Sequence, residues 1–358
     1  MKILCLCKRR PQGRDLLTRP YGRFYHIPLF LSQEGHNVSI ILTSYKNDTR
    51  ERIKKDGITW YSENLSPQIC NFNPIRYWNR LNNIVKEEKP DWIIGFSDIW
   101  YGILAQKLSE KHNCKYMIDA YDNYESYIPW AKPIHLLWRR ALKYADLVTA
   151  AGPGLADLLG KNRSKPAEII PMTADPCFFP RDKQKCRTDL GLPLDKHIIG
   201  YSGSIYQSRG IEDLFSIYQI IKERLPNTIL VLSGRKDKNI NTPDGSIYLG
   251  YIEDDKMPKL INCYDVLAVV NQPSSFGDYS YPSKLYEAIA SDVPIIASDT
   301  PSIKWILQKD SYTVDFTDTN SAALKIENAI LSNNHPKYAQ KISWKQSAKA
   351  LSKLLNRS

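Results

Sequence analysis

The sequence predicts an α/β protein of two domains, each built on a doubly wound parallel sheet that helices cover on both faces. Its 358 residues suffice for two domains of about 150 residues, each with its own core. Short apolar strands alternate with helical patterns along both halves, which is typical of parallel sheets. The alternation pauses over residues 171–196, a segment rich in Pro, Asp, Lys and Phe, and this pause predicts an inter-domain linker.

The first domain is predicted over residues 1–170. Its strands are expected at residues 2–7, 37–42, 91–95, 115–118 and 146–150, and its helices near residues 21–34, 99–111 and 134–144. The first apolar run is followed at once by Lys8, Arg9 and Arg10, whereas a signal peptide carries its charges before a longer apolar stretch. No window approaches about 18 consecutive apolar residues, so no membrane span is expected.

The second domain is predicted over residues 197–335, with a helical segment after it. Its strands are expected at residues 197–201, 228–232, 246–249, 265–270 and 294–297, and its helices at residues 211–224, 256–261, 281–290 and 322–331. Residues 336–355 show a Lys-rich helical pattern with an apolar stripe at Ile342, Ala348, Leu351 and Leu355. Ligands of open parallel sheets bind beyond the carboxyl ends of the strands, so we expect the site in a cleft between the two domains.

The positive charge of the chain is concentrated in its first half. The net charge is +11, and residues 1–170 hold 26 Lys and Arg against 17 Asp and Glu. This bias indicates an anionic partner such as a phosphorylated substrate or a lipid surface, while the absence of standard nucleic-acid modules disfavours nucleic acid. The seven cysteines are scattered and the histidines show no paired spacing, so a reduced cytoplasmic chain without a metal site is expected.

Two turns of the second domain have features of phosphate sites. In the first, a predicted strand runs into Gly203, and Arg209 precedes the next helix, so backbone N–H groups and a cation could cradle a phosphate. In the second, Pro282 begins a helix whose first N–H groups, those of residues 283–285, would favour an anion, and Glu287 could accept from a ribose diol. Each pattern is equally compatible with a structural turn or an ordinary capped helix.

The first domain has two polar segments at predicted strand ends. Residues 119–126 place three carboxylates and two tyrosines after a buried strand, which suits sugar hydroxyls or a developing oxocarbenium ion. The basic segment that contains Arg14 and Arg23 follows the first strand and would border the same cleft. A polar loop that only caps the next segment is the alternative for residues 119–126.

A basic amphipathic helix is predicted over residues 132–143. Apolar Ile134, Leu137, Trp138 and Leu142 share this segment with five basic or potentially basic side chains. Such a mixture fits a helix that rests on an anionic membrane surface. The alternative, which the pattern favours slightly, is an amphipathic core helix with a solvated basic face.

Motifs in chain order over nearly the whole sequence resemble those of the family-four glycosyltransferases, which are retaining enzymes of the GT-B fold. In the most specific stretch, residues 282–298 read PSKLYEAIASDVPIIAS and are similar to the family's PSKLFEYMACGKPVIAS. The sequence GHNV at residues 35–38 looks like the family's GHEV, and ALKYADLVTA at residues 141–150 is similar to RRADAVTA. Trp344 looks like the tryptophan that begins a last helix crossing back to the N-terminal domain.

The resemblance implies specific roles for the phosphate-type turns. Arg209 and Lys284 would contact the donor diphosphate, and Glu287 would bind the ribose. Tyr279 stands where the family often has a first glutamate, so either Tyr279 or Asp278 would contact the donor sugar. No metal or other cofactor is expected, because protein cations would neutralise the diphosphate.

These observations predict a cytoplasmic glycosyltransferase at the inner face of an anionic membrane. It would move a sugar from a nucleoside diphosphate sugar to a lipid-linked glycan acceptor in polysaccharide biosynthesis, with retention of configuration. Catalysis is expected from Arg209, Lys284 and Asp122. The predicted donor-binding residues are Gly203, Ser204, Arg209, Tyr279, Pro282, Ser283, Lys284, Leu285 and Glu287. The predicted acceptor-binding residues are Arg14, Arg23, Asp119 and Tyr121.

Two other functions are compatible with the same motifs. A nucleotide-sugar 2-epimerase would turn over the donor without any acceptor. A catalytically degenerate nucleotide-sugar-binding subunit of a polysaccharide assembly complex would bind nucleotide without turnover. Ser204 and Tyr279 motivate this last alternative, because they replace an arginine and a glutamate common in the family.

Overall fold

The computed structural model describes residues 1–46, 48–65, 74–272, 274, 276–309, 312–332, 338 and 341–358. The chain divides into two compact units. The first unit comprises residues 1–172 and 342–358, and the second comprises residues 173–341.

The first unit is built on a sheet that, within the described residues, has eight strands. They are β1 (Lys2–Lys8), β2 (Asn37–Ser44), β3 (Glu51–Lys55), β4 (Ile58–Asn64), β5 (Trp92–Gly95), β6 (Lys115–Ala120), β7 (Leu147–Ala150) and β8 (Glu168–Ile169). Their order is β3-β4-β2-β1-β5-β6-β7-β8, and all pairs are parallel except β3 with β4. The helices are α1 (Gly22–Gln33), α2 (Pro74–Glu88), α3 (Ile99–His112), α4 (Lys132–Tyr144) and α5 (Pro153–Gly160).

The antiparallel hairpin of β3 and β4 was not predicted. Its turn is Asp56-Gly57, where both residues have positive φ (55° and 74°). Asp-Gly is a preferred sequence for two-residue hairpin turns, so a local signal for this hairpin is present in the sequence. The hairpin extends the parallel sheet at the edge formed by β4.

The second unit is built on a parallel sheet that has six strands in the part of the chain the structure describes. They are β9 (His197–Ser202), β10 (Thr228–Ser233), β11 (Ile247–Tyr248), β12 (Val266–Val269), β13 (Ile295–Ser298) and β14 (Thr313–Val314), in the order β11-β10-β9-β12-β13-β14. The helices are α6 (Lys183–Leu190), α7 (Ile211–Arg224), α8 (Met257–Asn262), α9 (Ser283–Ala290), α10 (Pro301–Leu307) and α11 (Thr319–Leu331). The central strands are continuous apolar runs, because helices cover both faces of a parallel sheet.

Helix α6 lies inside the segment that was predicted as a linker. Its Arg187 side chain is buried, donates to the carbonyl oxygen of Cys263 over 2.9 Å and pairs with Asp265 over 2.6 Å. These contacts attach α6 to the second unit, so only part of residues 171–196 connects the two units. The sequence lacked a clear apolar stripe here because α6 is held largely by a buried arginine.

The C-terminal helix α12 (Trp344–Arg357) belongs to the first unit, which confirms the predicted return of the chain. Trp344, Ala348, Leu351 and Leu355 are buried in the core of that unit. The Trp344 ring stacks on His26 of α1, with 6.1 Å between centroids. The helix begins at Trp344 behind a capping box of Ser343 and Gln346, eight residues after the predicted start at Pro336, which lies outside the described residues. No described helix has the length and apolarity that a membrane crossing requires.

Candidate functional site

The turns after β9 and β10 pack directly against each other in the second unit. Gly203 donates its N–H to the carbonyl oxygen of Ser233 over 2.9 Å. Gly234 has φ of 127°, and a Cβ there would lie 1.9 Å from the carbonyl oxygen of Gly203. Only glycine tolerates both the conformation and the contact. Backbone atoms rather than side chains therefore form the surface at the carboxyl ends of β9 and β10. Ser204, which follows Gly203, is partly exposed.

Arg209 lies in the short helical turn that precedes α7. The turn ends at Gly210, which has φ of 72°. The Arg209 guanidinium lies 5.1 Å from the centroid of the Phe276 ring, an arrangement that orients the cation without neutralising it. Among the described residues, no carboxylate forms an ion pair with Arg209. This is the arrangement expected for a cation that binds an anionic ligand.

Helix α9 begins differently from its sequence prediction. Pro282 is the N-cap, with ψ of 124°, and Ser283 is the first helical residue. No side chain caps this end in the described structure, so the N–H groups of Ser283 and Lys284 are available at the positive end of the helix. The N–H of Leu285, in contrast, donates to the carbonyl oxygen of Pro282 over 3.1 Å. The Leu285 side chain is buried, so any contact of Leu285 with a donor would involve its backbone, as predicted from the sequence.

Lys284 and Glu287 form an ion pair with each other. The Lys284 Nζ lies 2.8 and 3.1 Å from the two carboxylate oxygens of Glu287. Both side chains are largely buried, with 19% and 9% of their surface exposed. The cation predicted to bind phosphate is thus paired with the carboxylate predicted to bind ribose. The pair holds both groups at the first turn of α9.

The loop before α9 is held by buried polar contacts. The Asn271 side chain donates to the carbonyl oxygen of Gly277 over 3.0 Å, and the Asn271 N–H donates to Ser298 Oγ over 2.8 Å. A Cβ at Gly277 would lie 2.1 Å from the carbonyl oxygen of Gln272. These contacts position Tyr279, which is partly exposed in the short helix of residues 277–279. Asn271 was not predicted; its signal is an amide directly after a buried strand.

In the first unit, Arg23 and Asp119 bind each other rather than a ligand. Arg23 donates to both carboxylate oxygens of Asp119, over 2.8 and 2.6 Å, and neither side chain has exposed surface. Thr149 donates a further hydrogen bond of 2.6 Å to Asp119. The prediction that both residues contact the acceptor is contradicted by this burial. Their bidentate pair ties α1 to the end of β6 instead.

Of the other predicted residues of the first unit, Tyr121 and Arg14 are partly exposed and Asp122 is buried. Tyr121 contacts the rings of Phe24 and Tyr124 edge to face, with centroids 5.4 and 5.5 Å away. The Asp122 carboxylate accepts a hydrogen bond of 2.5 Å from the Tyr127 hydroxyl. Arg14 is partly exposed, with its guanidinium 4.7 Å from the centroid of the Tyr21 ring.

Helix α4 exposes a different apolar set from the predicted one. Trp138 and Leu142 are buried, whereas Leu136 and Leu137 are exposed. The four-residue spacing of Trp138 and Leu142 faces the core, where Trp138 contacts Tyr124 with 5.8 Å between centroids. The exposed face nevertheless remains basic, because Lys132, Arg140 and Lys143 are also exposed.

Comparison with known proteins identifies family similarity in both halves of the chain. Residues 182–348 match the family described as Glycosyl transferases group 1. Residues 30–173 match the family described as Glycosyl transferase 4-like domain. The two matches together cover most of both units.

Two curated relatives show low identity over part of their length. A protein of Bacillus subtilis named as a teichuronic acid biosynthesis glycosyltransferase, TuaC, is 22% identical over 62% of this chain and 57% of its own. The D-inositol 3-phosphate glycosyltransferase of Mycolicibacterium smegmatis is 24% identical over 55% of this chain and 48% of its own. The chain therefore spans about half the length of the curated relatives it matches.

Solved structures share the fold over the whole chain. A sucrose-phosphate synthase from Thermosynechococcus elongatus matches with a TM-score of 0.76 at 16% identity, covering 100% of this chain and 98% of that chain. Alr3699/HepE of Anabaena, solved in complex with UDP, matches with a TM-score of 0.68 at 12% identity, covering 99% and 95%. These likenesses show a common GT-B architecture.

Proposed function

Because the chain belongs to the glycosyltransferases of the GT-B fold, we propose that it transfers a sugar from a nucleoside diphosphate donor to a lipid-linked saccharide. The observation that carries the proposal is the site of the second unit. There, Arg209 has no ion-pair partner among the described residues, and α9 begins with two uncapped N–H groups. The Arg209 cation packs on Phe276 of the loop that leads to this helix start, and the two features together suit a diphosphate.

The donor diphosphate would be held by Arg209, Lys284 and the first N–H groups of α9. These groups stabilise the negative charge that develops on the leaving diphosphate as the glycosidic bond breaks. Since protein cations supply this charge, no metal is required, and the leaving phosphate can take the acceptor proton. That Alr3699/HepE was solved with UDP and with UDP-glucose supports a nucleotide-sugar donor here.

Glu287 would bind the ribose, and this role requires a rearrangement of its ion pair. A carboxylate offers two oxygens, so Glu287 can accept from a ribose diol while Lys284 keeps one contact or turns to the phosphate. Ligand binding would then exchange one charge partner of Lys284 for another. Tyr279 or Asp278 would contact the sugar, since the buried contacts of Asn271 and Gly277 fix the loop that carries them.

We propose Asp122 as the catalytic carboxylate of the first unit and Arg14 and Tyr121 as acceptor contacts. The Tyr127 hydroxyl orients the Asp122 carboxylate. Retention of configuration proceeds through a transition state with positive charge on the sugar, which a carboxylate stabilises. The hydroxyl of Tyr121 stays protonated, because burial raises the pKa of this group well above its usual value.

The direct test is a transfer assay with purified protein. A thermal-shift screen with UDP, GDP and ADP first identifies the nucleotide, since a ligand that binds the folded state raises the melting temperature. The matching radiolabelled nucleotide sugar is then incubated with lipid extracts, and label is measured in the organic phase. Transfer of label supports the proposal. A new donor epimer without acceptor would indicate an epimerase, and nucleotide binding without any turnover would indicate a binding subunit.

A lipid-linked acceptor would be reached through the exposed face of α4, which we propose as a contact with anionic membrane. Leu136 and Leu137 supply apolar surface, and Lys132, Arg140 and Lys143 supply positive charge beside it. Sedimentation with phosphatidylglycerol vesicles should exceed that with phosphatidylcholine vesicles.

Replacing both leucines of this face by aspartate should abolish vesicle binding. A matched control is Leu324→Asp, because Leu324 is comparably exposed on α11 of the second unit. Equal sedimentation with neutral vesicles, or equal loss in the control, would exclude the α4 surface.

A further inference from the structure

The carboxyl edge of the first sheet carries a group of side chains that the functions above do not use. Strands β2, β1 and β5 are neighbours and end together. Tyr45 follows β2, Lys8 ends β1, and Asp98 and Trp100 follow β5. The four side chains come from three separate stretches of sequence, and the parallel pairing of the strands brings these stretches to one edge.

Contacts within the group hold Tyr45 in place at the surface. Its hydroxyl lies 3.1 Å from the hydroxyl of the buried Tyr101, and Lys8 Nζ lies 5.5 Å from the centroid of its ring. The tyrosine remains 39% exposed. An aromatic ring that is fixed and exposed offers a preformed surface with little entropy left to lose on binding.

The backbone at the end of β5 adopts an unusual conformation. Ser97 has φ of 72°, a left-handed conformation that is strained for a residue with a side chain. Its Oγ accepts the N–H of Lys8 over 3.3 Å, which ties the ends of β5 and β1 together. The turn leaves Asp98 at the N-cap of α3, where its carboxylate accepts the N–H of Trp100 over 3.3 Å. Strained turns of this kind concentrate at functional sites.

Trp100 is exposed in the first turn of α3, two residues after Asp98. Its side chain keeps 45% of its surface in solvent and makes no ring contact within the described part of the chain. Asp98 is only partly exposed, and burial raises the pKa of this carboxyl although the charge of Lys8 opposes the shift. The partial desolvation of this carboxylate costs stability, and a ligand that donates hydrogen bonds to it would offset that cost.

We propose that Tyr45, Asp98 and Trp100 form a saccharide-binding subsite for the acceptor. The C–H faces of a pyranose ring pack on aromatic rings, and a carboxylate accepts two hydrogen bonds from neighbouring sugar hydroxyls. Lys8 donates to a further hydroxyl. The inference rests on the proposed glycosyltransferase function and assigns it an acceptor whose recognised part is a neutral sugar.

The chemistry of the group favours a sugar over a phosphate. Its single cation, Lys8, lies near a carboxylate that would repel an anion, and the first N–H groups of α3 are served by Asp98. A purely apolar ligand would leave Asp98 buried without its water, which is costly. A neutral polyol satisfies the carboxylate, the lysine and both rings at once.

The test is ligand-observed NMR on the full chain with the methyl glycosides of glucose, galactose, mannose and N-acetylglucosamine. Saturation transfer to at least one glycoside is expected for the unmodified protein. In Trp100→Ala and in Asp98→Asn, the affinity should fall about fivefold to tenfold, the loss typical of one ring contact or one hydrogen bond. Asn is as good an N-cap as Asp, so Asp98→Asn keeps the start of α3 intact.

Trp130→Ala is the matched control, because Trp130 is an even more exposed tryptophan of the same unit, outside this group. It should leave glycoside binding unchanged. The subsite is excluded if no glycoside binds, if Trp100→Ala and Asp98→Asn bind as the unmodified protein does, or if Trp130→Ala loses binding equally. Nucleotide binding, measured by thermal shift in every variant, reports on the second unit. Its absence in the unmodified protein would count against the proposed function and not against saccharide binding.

Discussion

Arg23 and Asp119 form a bidentate pair, with N–O distances of 2.8 and 2.6 Å, in which neither side chain reaches solvent. Arg23 also donates to the carbonyl oxygen of Ile170 over 3.3 Å, and Asp119 accepts from Thr149. The pair therefore joins α1, β6 and β7 and the chain that follows β8. Its surroundings indicate a structural role at the carboxyl edge of the first sheet.

Removing one member of this pair should destabilise the first unit strongly. Asp119→Ala leaves a buried guanidinium without its charge partner, which costs about 3–5 kcal/mol. Urea unfolding followed by circular dichroism measures the change. Arg52→Ala is the comparison, because the ion pair of Arg52 with Glu87 is about half exposed on both sides and contributes little to stability. Equal effects of the two substitutions would contradict the structural role of Asp119.

Arg209 should be required for donor turnover but not for folding. Arg209→Ala removes a cation from the leaving diphosphate, and kcat/KM should fall by about 100-fold to 1,000-fold, as for other groups that stabilise transition-state charge. Arg209→Lys should recover only part of the rate, because an ammonium lacks the planar, bidentate donor set.

The control for Arg209 lies at the far end of α7, the helix that follows the turn of Arg209. Arg224 is an exposed residue in the last turn of α7 and pairs with Glu327. Arg224→Ala should retain full activity. A fully active Arg209→Ala variant would exclude the donor-site assignment.

Lys284 and Glu287 should affect different parts of the nucleotide. Lys284→Ala should weaken binding of the nucleoside diphosphate about tenfold or more and leave binding of the corresponding nucleoside unchanged, because its charge contacts phosphate. Glu287→Gln should lower the affinity for the nucleoside and for the nucleoside diphosphate by a similar factor, because the Glu287 carboxylate is proposed to contact the ribose that both ligands contain. Isothermal titration with the two ligands separates these effects. The assignment of Lys284 to the phosphate is wrong if Lys284→Ala lowers the affinity for the nucleoside as much as the affinity for the nucleoside diphosphate.

Asp98→Asn should stabilise the protein at pH 7 while it weakens saccharide binding. Burial raises the pKa of Asp98, so the folded protein holds this proton more tightly than the unfolded chain. The stabilising contribution of the protonated group is present at acidic pH and is lost as the pH rises through the folded pKa. Near neutral pH the charged carboxylate therefore costs stability, and a neutral amide removes this cost.

The stabilisation of the protein by Asp98→Asn should increase with pH. The difference in melting temperature between Asp98→Asn and the unmodified protein should be largest near pH 7 and shrink as the pH falls through the raised pKa of Asp98, where its carboxyl becomes neutral. Lys8, Cys7, Tyr45 and Tyr121 also interact with Asp98. Burial raises the pKa of the Cys7 thiol and of both tyrosine hydroxyls, so these three groups stay protonated in this range. An increase in melting temperature that is the same at every pH, or a decrease at pH 7, would contradict the raised pKa of Asp98.

Local sequence patterns determined most of the fold. Continuous apolar runs located the central strands of both sheets, since a parallel strand is buried on both faces. The stripe of Ala348, Leu351 and Leu355 located the C-terminal helix because their spacing places them on one helical face. Glycines before the helices marked the turns of the second unit. These features repeat over a few residues, so they can be read without knowing what lies across the sheet.

Contacts between distant residues were decided only by the tertiary structure. Arg23 and Asp119 are 96 residues apart, and both were predicted as ligand contacts because nothing local shows that they meet. On α4, apolar side chains lie on more than one face of the helix, so the sequence does not show which face is buried. In the structure Trp138 is buried in the core, whereas Leu137 is exposed.

The polar edge of the first sheet depends on strand order for the same reason. Lys8, Tyr45 and Asp98 become neighbours because β1 pairs with both β2 and β5. Periodicity records which face of an element is buried, whereas the identity of its partners depends on how strands from distant parts of the chain pair. The sequence by itself therefore determined the architecture and the position of the donor-type turns, and the tertiary structure decided which charged side chains are neutralised and which remain open to a ligand.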